Sequence, residues 1–136
     1  MISTDGGEPA FAPDNAFHLF VYGTLRSGGS ASRMLDHCKR IARTSVRGTL
    51  YDVDGRFPAL MLYGSCDVHG EIWRCPVELL ATLDEYEGVE RGMFRRVAVR
   101  VDGLACWTYV AGPALARDLT PGRRVPSGEW GPRDPR

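Results

Sequence analysis

"MFRRVAVRVDGLACWTYVAG", Met93 to Gly112, is the stretch on which the fold class turns. Val97, Val99 and Val101 alternate with Ala98 and Arg100, the period of a strand with one buried face. A second apolar run follows Asp102-Gly103, a dipeptide that favours the two-residue hairpin turn. Two strands joined so tightly are antiparallel, because a parallel pair needs a crossover of a dozen or more residues.

Working outward, "PVELLATLDEYEG" (Pro76–Gly88) reads as the clearest helix, opened by Pro76 and closed by Gly88. Leu79, Leu80, Leu83 and Tyr86 share one face of its wheel, while Glu78 and Glu85 point away. Before it, "VRGTLYDV" (Val46–Val53), "PALMLY" (Pro58–Tyr63) and "DVHGEIWRC" (Asp67–Cys75) read as three strands, the first two separated by the turn "DGRF". "FHLFVYG" (Phe17–Gly23) is an apolar strand. "SASRMLDHCKRI" (Ser30–Ile41) places Met34, Leu35, Cys38 and Ile41 at helical spacing behind Ser30 as a cap. The predicted order is β-α-β-β-β-α-β-β: an α+β fold built as a small, mostly antiparallel β-barrel with flanking helices. Residues 1–15 read as a flexible tail and 16–136 as one domain. The chain is irregular from about 113, with Trp130 as that segment's one large apolar anchor.

The composition narrows the function classes. With 136 residues, 43% apolar and 25% charged, the chain is of ordinary globular make-up. Seventeen basic residues balance seventeen acidic ones, so no global field draws nucleic acid or an anionic membrane. No apolar run spans a bilayer, and the amino terminus lacks the basic start and apolar stretch of a secretory signal. Cys38, Cys66, Cys75 and Cys106 are irregularly spaced and read as reduced thiols; a cytoplasmic protein is expected. Cys66 and His69 have C-x-x-H spacing, but no C-x-x-C or H-x-x-x-H pair accompanies them, and neither a metal nor another cofactor is expected.

Two places carry chemistry. "FVYGTLRSGGS" (Phe20–Ser30) comes close to a phosphate-binding loop, with Gly23, Gly28 and Ser30 correctly spaced, but Gly29 stands where the phosphate-reaching lysine belongs. What survives is a glycine after a strand, where the amides of Gly23, Thr24 and Leu25 could cradle an anion; a tight turn without ligand fits the same residues. Glu87 falls on the apolar side of the second helix, seven residues beyond Leu80, at the end where the helix dipole disfavours negative charge. Apolar surroundings and that dipole would both raise its pKa, suiting it to proton transfer near neutrality. A solvated glutamate at a frayed helix end fits the pattern equally. Glu71 could face the barrel interior or solvent, and a strand carboxylate is more often solvated; Arg95 and Arg96 read as surface charges, one of which could pair with a buried carboxylate.

Together, "VYGTLRSGG", "VHGEIWRCPVELLATLDEYEG" and "FRR" resemble the gamma-glutamylcyclotransferase-like family, including the gamma-glutamylamine cyclotransferases, over about Phe17 to Val110. The resemblance implies a cavity at one end of the fold, where Tyr22, Gly23, Thr24, Leu25 and Arg26 bind the glutamyl portion and Glu87 is the catalytic acid/base. It implies release of 5-oxoproline from a small-molecule γ-glutamyl substrate by a monomer or weak homodimer; the rival reading is a metabolite-binding protein without chemistry. Two departures bear on substrate recognition. Phe94 stands where the family commonly has the tyrosine of Y-x-R, and Ala31-Ser32 replace an Asn-His pair.

Overall fold

The computed structural model describes residues 15–23, 25–26 and 32–130. Its strands are β1 (Ala16–Val21), β2 (Lys39–Val53), β3 (Phe57–Pro76), β4 (Phe94–Val101) and β5 (Leu104–Ala111). Helix α1 (Leu79–Tyr86) lies between β3 and β4, and the short helix α2 (Pro113–Ala116) follows β5. The hairpin expected at Met93–Gly112 is present: β4 and β5 pair antiparallel from Phe94↔Ala111 to Val101↔Leu104. Asp102 (φ 50°) and Gly103 (φ 83°) take the left-handed conformations that this turn demands.

The sheet runs β2-β3-β1-β5-β4. β2/β3, β3/β1 and β5/β4 are antiparallel, and β1 lies parallel to β5. The α+β class and the antiparallel bias therefore stand. Closure into a barrel does not, because β2 and β4 remain the two edges of an open, mixed sheet.

Two further expectations are corrected. Ser30–Ile41 is not a helix. Ser30 lies outside the described residues, a single 3-10 turn covers Ser32–Leu35, and β2 has begun by Lys39. Pairing of Lys39 with Arg74 and Arg40 with Trp73 claims these residues, so tertiary strand pairing overrides a local helical period. Ile41, expected on the helix's apolar face, is 42% exposed. The second correction joins "PALMLY" and "DVHGEIWRC" into one 20-residue strand, β3. The break read between them is real but is an irregularity: pairing jumps from Thr49↔Met61 to Gly48↔Cys66, leaving the residues between as a bulge. Thr49 Oγ1 donates to the Tyr63 carbonyl there (2.7 Å) and fixes it. A bulge bends its strand and increases its twist, which re-aims the far arm of the β2–β3 hairpin.

One core cluster lies between the sheet and α1 and includes Phe17, Leu19, Leu25, Leu35, Leu83 and Trp107. A second includes Phe20, Leu50, Leu60, Val68, Ile72 and Cys106. Burying a Leu- or Phe-sized side chain contributes about 1.5–3 kcal/mol, which makes these clusters the main support of the fold. Residues 113–130 fold back across the sheet. Val125 N–H donates to the Leu50 carbonyl (2.8 Å), His69 N–H to the Gly128 carbonyl (2.8 Å), and Trp130 Nε1 to Asp52 Oδ1 (3.0 Å). All four cysteines are free thiols; Cys75 and Cys106 are buried, Cys66 is exposed, and Cys38 hydrogen-bonds with Cys75. No helix among the described residues is long and apolar enough to cross a membrane.

Candidate active site

β1 ends at Val21, and the chain turns at Gly23, where Arg26 N–H donates to the Gly23 carbonyl (3.0 Å). A side chain has no room at position 23: its Cβ would lie 2.7 Å from Pro58 Cγ and 2.9 Å from Pro58 Cδ. The glycine thus lets the turn pack directly on the hairpin arm that the β3 bulge brings over. Tyr22 anchors the same corner. Its hydroxyl donates to the Tyr109 carbonyl (2.5 Å) and accepts from Leu60 N–H (3.2 Å), tying β1 to β5 and β3. Burial, then the negative charge of Glu87, hold that phenol well above its usual range.

Opposite this turn is the end of α1. The helix stops at Tyr86, with Glu87 as its C-cap and Gly88 left-handed behind it (φ 67°). Glu87 N–H still donates to the Leu83 carbonyl (2.9 Å), which orients the residue as if the helix continued. Leu83 anchors α1 in the core, and the side chain four residues on is carried over the sheet end. A cavity of about 340 Å³ separates the turn from Glu87. Its buried floor includes Phe20, Tyr22, Leu25, Phe94 and Tyr109; its rim includes Arg56, Tyr86 and Arg91. Burial pushes the Glu87 carboxyl up to about 7.

Tyr22, Gly23, Leu25 and Glu87, predicted from sequence, thus line one cavity. Thr24 lies outside the described residues. Arg26 is placed elsewhere: it donates through Nη2 to the Trp130 carbonyl and lies 3.8 Å from Glu129. Tyr86, expected on the apolar face, is 45% exposed and stands at the rim of the cavity. Cys66 and His69 occupy regularly paired positions of β3 three residues apart, so they face opposite sides of the strand.

The sequence reading missed the scaffold behind Glu87. Asp84 accepts from Arg96 Nε (2.9 Å) and Nη2 (3.2 Å), and Tyr109 Oη donates to it (2.6 Å). The Arg96 guanidinium also lies 4.3 Å over the Trp107 ring. This network ties α1 to β4 and β5 one turn before Glu87 and fixes where the carboxyl points. Arg96 is therefore the arginine that meets a carboxylate. The available signal was alternation in β5, which puts Trp107 and Tyr109 on one face. Arg56, Phe57 and Pro58 could not be assigned to the site, because only the bend of β3 brings them to it.

Against known proteins, the model of the family described as gamma-glutamyl cyclotransferase, AIG2-like, matches residues 19–132. A gamma-L-glutamyl-butirosin B gamma-glutamyl cyclotransferase from Niallia circulans is 33% identical over 103 residues, 68% of this chain and 65% of that protein. The chain thus aligns with slightly under two thirds of that relative's length. A gamma-glutamylcyclotransferase family protein of Escherichia coli (strain K12), YtfP, is 28% identical over 117 residues, 85% of this chain and 97% of that protein. Among solved structures, an AIG2-like protein from Mus musculus superposes with a TM-score of 0.64 at 24% identity. That superposition covers 89% of this chain and 92% of the mouse protein, and it shows a shared fold.

Proposed function

The chain belongs to the gamma-glutamyl cyclotransferase, AIG2-like family, and on that premise we propose that it catalyses intramolecular acyl transfer in the cytoplasm. The α-amine of a γ-glutamyl amine or amide attacks its own γ-carbonyl. A new C–N bond closes 5-oxoproline, the original γ-amide C–N bond breaks, and the free amine leaves. Glu87 takes the proton released by the attacking ammonium and delivers one to the departing nitrogen, so no water is consumed. The amides of the turn from Gly23 to Leu25 hold the glutamyl portion and the carbonyl oxygen as it becomes negative. Nucleophile and electrophile belong to one molecule, so holding the folded conformer in a small cavity removes much of the entropic barrier. No step of this reaction calls on a metal or an organic cofactor, and a monomer or weak homodimer would suffice to carry it.

The observation that carries this reading is the pairing across one cavity of a close-packed glycine turn and a carboxyl whose pKa is raised to about 7. A general acid/base works best when its pKa lies near the operating pH. The test is mass spectrometry of 5-oxoproline release from a panel of γ-glutamyl amines, amino acids and isopeptides. Release from at least one compound supports the assignment. Binding of 5-oxoproline at the Gly23 turn with no release from any compound would instead make the protein a metabolite-binding module.

A further inference from the structure

Two of the four thiols stand together at the end of the sheet away from the cavity. Cys75 lies in β3 opposite Phe17, near the start of β1, whereas the Gly23 turn follows the other end of that strand. β2 enters the sheet with Lys39 opposite Arg74 and Arg40 opposite Trp73, and continuing that register by one residue sets Cys38 opposite Cys75. The 3-10 turn Ser32–Leu35 delivers Cys38 to this place, because the Cys38 N–H donates to the Leu35 carbonyl (2.9 Å). The two thiols hydrogen-bond to each other; Cys75 is buried and Cys38 is half-buried. Directly opposed residues of an antiparallel pair have Cα atoms about 4.5–5.5 Å apart, inside the roughly 4.4–6.8 Å window of a disulfide. The remaining cysteines are placed differently. Cys66 stands opposite Gly48, and Cys106 stands opposite Val99 in the second core cluster.

We propose that Cys38 and Cys75 form an oxidation site, closing reversibly into a disulfide that locks the first residues of β2 onto the end of β3. Cys38 is the sulfur that solvent can reach. The hydrogen bond from Cys75 holds the Cys38 thiol below its usual range, while the same contact and burial push Cys75 well up. The thiolate is the attacking species, so Cys38 reacts first. It attacks one sulfur of a low-molecular-weight disulfide, whose S–S bond breaks as one thiolate leaves. Cys75 then gives up its proton, attacks the Cys38 sulfur of the mixed disulfide and expels the second small thiolate. The two protein sulfurs lose two electrons in all, and the small disulfide is reduced to two thiols that take up the two protons released. In a reducing compartment the pair rests as thiols, and disulfides formed there are usually transient and redox-sensing. The lock has something to hold. Met34, Leu35, Cys38 and Ile41 carry a helical period that pairing with β3 overrides, and a bond at Cys38 removes the local alternative.

The experiment uses the full chain and no substrate, so its outcome is independent of the acyl-transfer reading. The native protein is equilibrated with glutathione disulfide, remaining thiols are alkylated, and peptides are mapped by mass spectrometry without reduction. A Cys38–Cys75 linked peptide is expected from the wild type and from Cys66→Ser alike. Tm should rise by roughly 10 °C, the gain from closing a long hairpin loop, and fall back with dithiothreitol. Cys38→Ser should lose both the link and the shift, and Cys75→Ala should stop with glutathione on Cys38. A wild-type product in which Cys38 and Cys75 are both alkylated, or carry glutathione separately, overturns the inference. A link that forms only in denaturant overturns it as well, since the folded pair is then not placed to react. A linked product with a lower Tm also overturns it, because such a bond strains the ladder where it was to lock it.

Discussion

Glu71 lies on β3 beside the end of β1, and Glu87 caps α1 over the cavity; the surroundings of these two carboxylates differ. Around Glu71, which is 5% exposed, the fold gathers Trp73 Nε1 at 2.9 Å from Oε1, and Arg40 and Arg43 at 3.5 and 4.0 Å from Oε2. Around Glu87 it places apolar walls, the three phenols of Tyr22, Tyr86 and Tyr109 and a helix end, with Arg56 and Arg91 only at the rim, and burial moves the carboxyl to about 7. A carboxylate that serves structure is supplied with donors and cations. One that must pick up and release protons at neutral pH is better placed without a counter-ion, because a close cation would hold it ionised. Glu71, which the sequence left open between interior and solvent, is thus a buried anchor of the β2 edge, and its pairing with Arg40 helps explain why residues 39–41 are strand.

The largest expected effect tests that difference directly. Glu87→Gln should lower turnover by about 10²–10⁴-fold, the usual loss when a positioned acid/base is removed, while circular dichroism stays native. Near wild-type turnover in this variant would remove Glu87 from the chemistry.

A second effect, on the order of 3 kcal/mol, appears in stability and needs no substrate. The folded carboxyl titrates near 7 against an ordinary value of 4.5, so between those values the folded state holds a proton that the unfolded chain has released. Stability from this group is therefore fully present below about pH 4.5 and is lost as pH rises through 7. Glu87→Gln escapes the loss. Its Tm should exceed that of the wild type at pH 8 and match it at pH 4; the same difference at both values would contradict the burial argument.

Glu71→Gln should show the opposite profile. The amide can still accept from the Trp73 indole but no longer faces the arginines with a charge, and a loss of about 1–3 kcal/mol is expected. Thermal unfolding should report it, with turnover at saturating substrate retained. A collapse of turnover without loss of Tm would move Glu71 from scaffold to site.

The smallest effect concerns Phe94, 8% exposed on the cavity floor. Phe94→Tyr should change kcat/KM by no more than a neutral hydrogen bond allows, about 0.5–1.5 kcal/mol. A much larger loss would show that the added hydroxyl disturbs the packing of Phe94 on Phe57.

Local signals made part of this legible. Asp102-Gly103 between alternating valines specifies a hairpin because turn chemistry and strand period act over a few residues. Leu80, Leu83 and Glu87 share a helix side for the same reason, and a glycine after β1 marks close backbone approach wherever its neighbour comes from. The identity of that neighbour, Pro58, was not legible, nor was the continuity of β3 through its bulge. Arg96 and Tyr109 lie 12 and 25 residues from Asp84, so nothing in their spacing reports the contact.

The sequence by itself therefore determined the α+β class, the late hairpin, the α1 helix and the two short segments that face each other across the cavity. Their residues form these features through interactions spanning one turn or one strand period. Only the tertiary structure decided that the sheet stays open, that residues 39–41 are strand, and that Arg40 and Arg43 flank Glu71 while no cation among the described residues pairs with Glu87. Those outcomes depend on which distant strands pair and which side chains are thereby taken out of water, a choice made by the packing of the whole chain.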